Sequence, residues 1–98
     1  MAVFCELLVP GGSRDAATAL EQQVGRRLEA AGAPPEGLMF LCVHPHQEGF
    51  RIAMVFRSTE AAHAEVQGPL RDDADAVGLQ LGEHFLAPVW SMALPGAR

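Results

Sequence analysis

The 98 residues are 49% hydrophobic and 19% charged, which fits a single domain over 1–98 and lies on the globular side of the disorder boundary. Seven arginines against twelve acidic residues give a formal charge of −5, and the isoelectric point is near 5.2, so neither nucleic acid nor anionic lipid is an expected partner. Lys, Asn and Tyr do not occur and Ile52 is the single isoleucine, all types with AT-rich codons, so the all-arginine cations reflect composition before anion binding.

Met1 to Val9 lacks the basic start and long apolar stretch of a signal peptide. No run approaches the roughly 20 apolar residues of a membrane helix, and a cytoplasmic protein is expected. Cys5 and Cys42 stand in separate apolar runs with no CxxC spacing and are expected to be free, buried thiols.

In chain order, Ala2 to Val9 reads as a strand whose Val3, Cys5, Leu7 and Val9 form a wholly apolar face, with Phe4, Glu6 and Leu8 on the other. Pro10-Gly11-Gly12 breaks it. Ser13 then caps a helix from Arg14 to Ala31, in which Leu20, Val24, Leu28 and Ala31 recur at helical spacing and Gly32 ends the pattern. After the Ala33-Pro34-Pro35-Glu36 connection, Leu38 to His44 and Phe50 to Arg57 read as a hairpin around Pro45 to Gly49. Ser58 or Thr59 caps a helix through Val66, Gly68-Pro69 interrupts it, and Leu70 to Val77 continues as a helical turn or two. Residues 79–87 carry no clear signal, and Pro88 to Leu94 reads as the last strand.

The order strand, helix, strand, strand, helix, strand is the ferredoxin-like split βαβ arrangement of an α+β protein, with both helices on one face of the sheet. The hairpin strands are apolar on both sides, so the face away from the helices requires a cover. A second copy packed sheet against sheet, an isologous homodimer, provides it.

The opening Val3-Phe4-Cys5-Glu6-Leu7 strand with Pro10-Gly11-Gly12, the run Arg51 to Arg57 into Ser58-Thr59-Glu60-Ala61-Ala62, and the Gly68-Pro69-Leu70 break together resemble the antibiotic-biosynthesis-monooxygenase-like group of the dimeric α+β barrel superfamily. Laid on that family's pattern, Phe56 takes the place of a strand-ending Trp, Glu65 that of a His, and Gly68-Pro69-Leu70-Arg71 that of Ser-Pro-His-Phe. His63 stands two residues from the His place, a rotation of roughly 200° on a helix. The resemblance implies a dimeric α+β barrel with a cavity between sheet and helices, used by relatives for cofactor-free oxidation of aromatic polyketides, for isomerisation or cyclisation, or for haem degradation.

Glu6 is the leading candidate for acid–base chemistry, as a carboxylate among apolar neighbours that burial would tune; pairing with an arginine such as Arg51 is the structural alternative. His63 and Glu65 are further candidates at the cavity mouth. Phe4, Phe40, Met54, Phe56 and Trp90 either line an apolar substrate pocket or fill a dimer core. His44-Pro45-His46 has no third ligand at metal spacing, and His84 reads as a packing residue. Asp72, Asp73 and Asp75 read as a solvated face. There is no phosphate loop, dinucleotide fingerprint or Gly-x-Ser-x-Gly, so no cofactor is implied. The expectation is a homodimer binding an apolar or aromatic metabolite, with cofactor-independent monooxygenation leading, and a catalytically silent binding or assembly module or an isomerase or cyclase as alternatives.

Overall fold

The computed structural model describes residues 2–32, 37–47 and 49–91. Strand β1 (Val3–Pro10) leads into helix α1 (Arg14–Ala31), the hairpin β2 (Leu38–His46) and β3 (Gly49–Phe56), helices α2 (Thr59–Gln67) and α3 (Pro69–Ala76), and strand β4 (His84–Pro88). The sheet is antiparallel throughout in the order β2-β3-β1-β4, which is the ferredoxin-like order.

Local chemistry sets the element ends where the sequence placed them. Ser13 Oγ accepts the Ala16 amide at 3.1 Å to start α1, and Gly32, at φ 73°, turns its amide back to the Leu28 and Glu29 carbonyls to end it. Ser58 Oγ caps α2 in the same way through the Ala61 amide at 3.1 Å. Pro69 occupies the first turn of α3, where its missing N–H costs nothing, and so starts a new helix after α2.

Period-two alternation assigns the two sheet faces. Val3, Cys5, Leu7 and Val9 pair with Phe56, Met54, Ile52 and Phe50, and all eight are buried beneath the helices. Leu20 and Val24 of α1, Ala62 and Val66 of α2, and Leu70 and Ala74 of α3 complete this core. Burial of side chains of this kind contributes about 1.5–3 kcal/mol each for the larger ones, so the helix–sheet layer carries most of the stability.

Two sequence readings change. Among the described residues the last strand is His84–Pro88, and 89–91 of the expected Pro88 to Leu94 strand are not part of it: Cys5 pairs with Leu86 and Leu7 with His84, so the strand falls mainly in the stretch that carried no clear signal. Pairing to β1 supplies what a five-residue segment with His and Pro at its ends lacks in propensity. The 92–94 part of the expected strand lies outside the described residues, as does the Ala33 to Glu36 connection. The hairpin is also tighter than expected, since Pro45 and His46 belong to β2. Strand β2 is an edge strand, where a proline without an N–H is tolerated. Gly49 makes the tight return possible at φ 148°, and a Cβ there would collide with the Val9 carbonyl oxygen.

The other sheet face carries Phe4, Glu6 and Leu8 from β1, Arg51, Ala53 and Val55 from β3, Phe40, Cys42 and His44 from β2, and Phe85 and Ala87 from β4. No helix among the described residues packs on it. It is apolar, as expected, except for a polar group built around Glu6. No helix among the described residues is long and apolar enough to cross a membrane.

Candidate functional site

Glu6 faces away from the helices. Its Oε1 accepts from Arg51 Nη1 at 2.7 Å, and its Oε2 lies 3.4 Å from His44 Nε2. The hydrogen bond from Arg51 holds the Glu6 carboxyl below the usual carboxylate range, outweighing partial burial, which acts in the opposite direction. The carboxyl is therefore an ionised partner of Arg51, the pairing named from the sequence as the alternative to acid–base chemistry. His46 Nε2 lies 3.0 Å from Arg51 Nη2, so both imidazoles of His44-Pro45-His46 join this cluster. Among the described residues no group of three or more His, Cys, Asp or Glu could hold a metal ion.

Glu65 is likewise committed. Arg27 of α1 donates through Nη1 and Nη2 to its two carboxylate oxygens at 3.3 and 2.7 Å, and through Nε to Asp73 Oδ2 of α3 at 2.8 Å. Both carboxylates are only 4% exposed, so the triad ties three helices together at the margin of the core. Burial alone would lower the Arg27 pKa, but the hydrogen bonds to Asp73 and Glu65 outweigh it and raise the value. Asp73 thus departs from the solvated face expected for Asp72, Asp73 and Asp75; its two neighbours are exposed. Arg27, unmarked in the sequence reading, borders with Glu65 a surface cleft of about 710 Å³ that Arg57, Ala61 and Pro69 also line.

The five aromatic and apolar pocket candidates do not meet. Met54 and Phe56 are 0% exposed within the helix-side core, whereas Phe4 and Phe40 lie on the opposite sheet face and Trp90, beyond β4, is 90% exposed. The alternation of a strand sends neighbours in sequence to opposite faces, and this separates the set. The helix–sheet interior is occupied by Cys5, Leu7, Leu20, Ile52, Met54, Phe56 and Leu70, each at 0–1% exposure.

His63 has a partner that the sequence reading missed. Its Nδ1 lies 3.3 Å from His84 Nε2, with ring centroids 5.2 Å apart and planes at 77°. His63 comes from α2 and His84 from the helix side of β4, so the pair bridges the seam between them and both residues are half-buried. Thr59 lies one helical turn before His63, and Leu86 is the next residue on the His84 side of β4. Both line a groove of about 380 Å³ with Val3, Ser58, Glu60 and Pro88, so the imidazoles stand along the same seam as this groove. The groove itself has one apolar wall and, on the other side, hydroxyls and the Glu60 carboxylate, a lining suited to a small organic molecule; the two imidazoles are not among the lining residues.

No family sequence model and no curated protein matches the chain. Solved structures do match. SnoaB, a cofactor-independent oxygenase from Streptomyces nogalater, is 18% identical and superposes with a TM-score of 0.56 over 96% of each chain. A protein described as an antibiotic biosynthesis monooxygenase from Chloroflexus aurantiacus is 22% identical, with a TM-score of 0.55 over 94% of this chain and 95% of the other. A single-site mutant of SnoaB matches at 16% identity and a TM-score of 0.54. The expected resemblance is thus borne out in the fold, which is the α+β architecture of these monooxygenase proteins along nearly the whole chain.

Proposed function

We propose that this chain, built on the fold of the antibiotic biosynthesis monooxygenases, is a homodimeric small-molecule-binding protein that oxidises an aromatic metabolite without a cofactor at the α2–β4 seam. The observation that carries the reading is the His63–His84 pair on the same α2–β4 seam as the 380 Å³ groove, two proton-transfer groups against an apolar sheet surface. A groove of that size falls at the small end of ligand sites and suits one or two fused rings.

The chemistry asked of the protein is limited. A ring-activated CH2 or phenol loses a proton to an imidazole and the resulting anion reduces dioxygen; the net change converts CH2 and O2 to C=O and H2O, or, for a phenol, the O–H and a ring C–H with O2 to a quinone and H2O. Because the facing His63 Nδ1 and His84 Nε2 share one hydrogen bond, one ring donates and the other accepts. The contact gives a proton taken from the substrate a second imidazole to move to. Val3, Leu86 and Pro88 would exclude water from the ring face, and Ser58 and Thr59 would orient polar substituents.

Oxygen uptake with a panel of phenols and anthrone-like compounds tests this. Uptake by the wild-type protein should fall about 100-fold or more in His63→Gln and His84→Gln, the range expected when a general base is removed. Wild-type uptake no greater than that of the two variants across the panel would overturn the proposal.

A second reading has its own observation. The interior that would form a cavity between sheet and helices is packed by Met54, Phe56, Leu7 and Leu70, which favours a catalytically silent binding or assembly module. Ligand-dependent melting separates the two: a stabilised protein with no oxygen uptake supports the silent module.

A further inference from the structure

On the sheet face away from the helices, Glu6 and Arg51 form a polar island in an apolar field. They stand on β1 and β3, the two central strands of the four, and so lie near the middle of the face. Phe4, Leu8, Phe40, Val55 and Phe85 surround them, with Phe40 45% and Phe85 61% exposed. The Arg51 guanidinium donates through Nη1 to Glu6 and lies against His46 through Nη2, but its Nε is buried with no acceptor among the described residues. That Nε is enclosed by the chain itself, but Nη1 and Nη2 each carry a second N–H beyond the contact they make and the side chain is 36% exposed, so the guanidinium can also donate outward from the face. Each Glu6 oxygen, in turn, has lone-pair capacity beyond the single contact it makes.

We infer that Arg51 of one subunit donates to Glu6 of the partner subunit, and the reverse, so that two exchanged ion pairs lock the register of the homodimer. The inference rests on the homodimer proposed above and adds the residues that make the face recognise a second copy of this chain. An isologous contact requires a self-complementary surface, and an acid and a base side by side near its centre satisfy that condition. Packed sheets stand about 10 Å apart, a gap that an arginine and a glutamate reaching from opposite sides can bridge. His44 flanks Glu6 from β2 and would sit within the same enclosed island. Apolar residues supply the bulk of the contact, and the charged pair rejects slipped registers, which would bury Arg51 against Phe or Val.

The test uses Glu6→Gln and Arg51→Gln, one of them isotopically labelled, each first shown to be folded by circular dichroism. In either variant alone both exchanged pairs are lost, because each remaining Arg51 or Glu6 faces a glutamine of the partner subunit. In the mixed dimer, one unpaired Arg51 faces one unpaired Glu6 of the partner subunit, while the contacts within each chain are the same as in the parent dimers. Mixed dimers measured by native mass spectrometry should exceed the statistical 1:2:1 ratio by about tenfold, and variants that dimerise only when mixed would support the exchanged pair more strongly still. A statistical ratio overturns the exchanged pair while leaving the homodimer intact, as do variants that stay monomeric both alone and mixed. A wild-type protein that is monomeric at all concentrations overturns the homodimer itself.

Discussion

Arg27→Met isolates the contribution of the buried charge triad. The substitution keeps most of the aliphatic length of Arg27 and removes hydrogen bonds of 2.7, 2.8 and 3.3 Å, leaving Glu65 and Asp73 without their shared cation. Their side chains are each 5% exposed, so water cannot replace the guanidinium without opening the α1, α2 and α3 contacts. Removing one partner of a buried ion pair costs about 3–5 kcal/mol. The Arg27 side chain is 23% exposed, which allows partial hydration of the gap and places the expected loss at about 3 kcal/mol. For a domain of this size that is a large part of a total stability of about 5–15 kcal/mol and lowers the melting temperature by roughly 12–24 °C. Urea denaturation followed by circular dichroism measures it. Replacing the entire triad with apolar side chains (Arg27→Met, Glu65→Leu, Asp73→Leu) should recover most of the loss, because the cost comes from uncompensated charge and not from lost volume. A loss below about 1 kcal/mol in Arg27→Met, or no recovery in the triple variant, would refute the reasoning.

Other outcomes follow from the packing and from burial. Phe56→Trp, which restores the aromatic type that the family pattern places there, should destabilise by about 1–3 kcal/mol in thermal melts because Phe56 is 0% exposed in a filled interior; a neutral or stabilising effect would indicate room for a ligand. Gly49→Ala should cost about 3 kcal/mol or more, or prevent folding, since a Cβ would collide with the Val9 carbonyl in a backbone conformation that other residues rarely adopt; near-wild-type denaturation would contradict the hairpin geometry. Burial pushes the Cys5 thiol up from 9.0 to about 11, so the folded state retains its proton where the unfolded chain has lost it. The resulting stability is fully present below pH 9 and is lost as pH rises toward about 11, so Cys5→Val should flatten the alkaline decline in urea titrations; an unchanged decline would remove Cys5 from its causes.

The fold was legible because independent signals agreed. Ser13 and Ser58 as caps, Gly32 as a stop and the Val3-Cys5-Leu7-Val9 alternation each placed an element where it stands. Strand β4 was not legible, since five residues from His84 to Pro88 become a strand through pairing with β1, which no local pattern encodes. The site was harder for a different reason. Each charged member of the triad is placed on an apolar helical stripe: Arg27 three residues after Val24, Glu65 three after Ala62, and Asp73 three after Leu70. A charge at a core position on each of three helices is a readable sign of a buried ion cluster, but only when the three are considered together. The His63–His84 contact carries no such sign, because a helix and a strand 21 residues apart meet there through the fold alone. The face of Glu6 was legible, since the wholly apolar Val3-Cys5-Leu7-Val9 side does pack on the helices, but which partner its carboxyl takes was not, because Arg51 stands 45 residues away and meets it only through the β1–β3 pairing.

The most direct test of the α2–β4 site is a ligand titration followed by two-dimensional 1H–15N spectra that include the imidazole nitrogens, using a bicyclic phenol such as naphthol. The account predicts saturable shifts at the His63 and His84 rings together with the Thr59 and Leu86 amides, while Phe4, Phe40 and Glu6 stay fixed. Shifts confined to the sheet face around Phe4 and Phe40, or to the Arg57 cleft, would place binding elsewhere and contradict it.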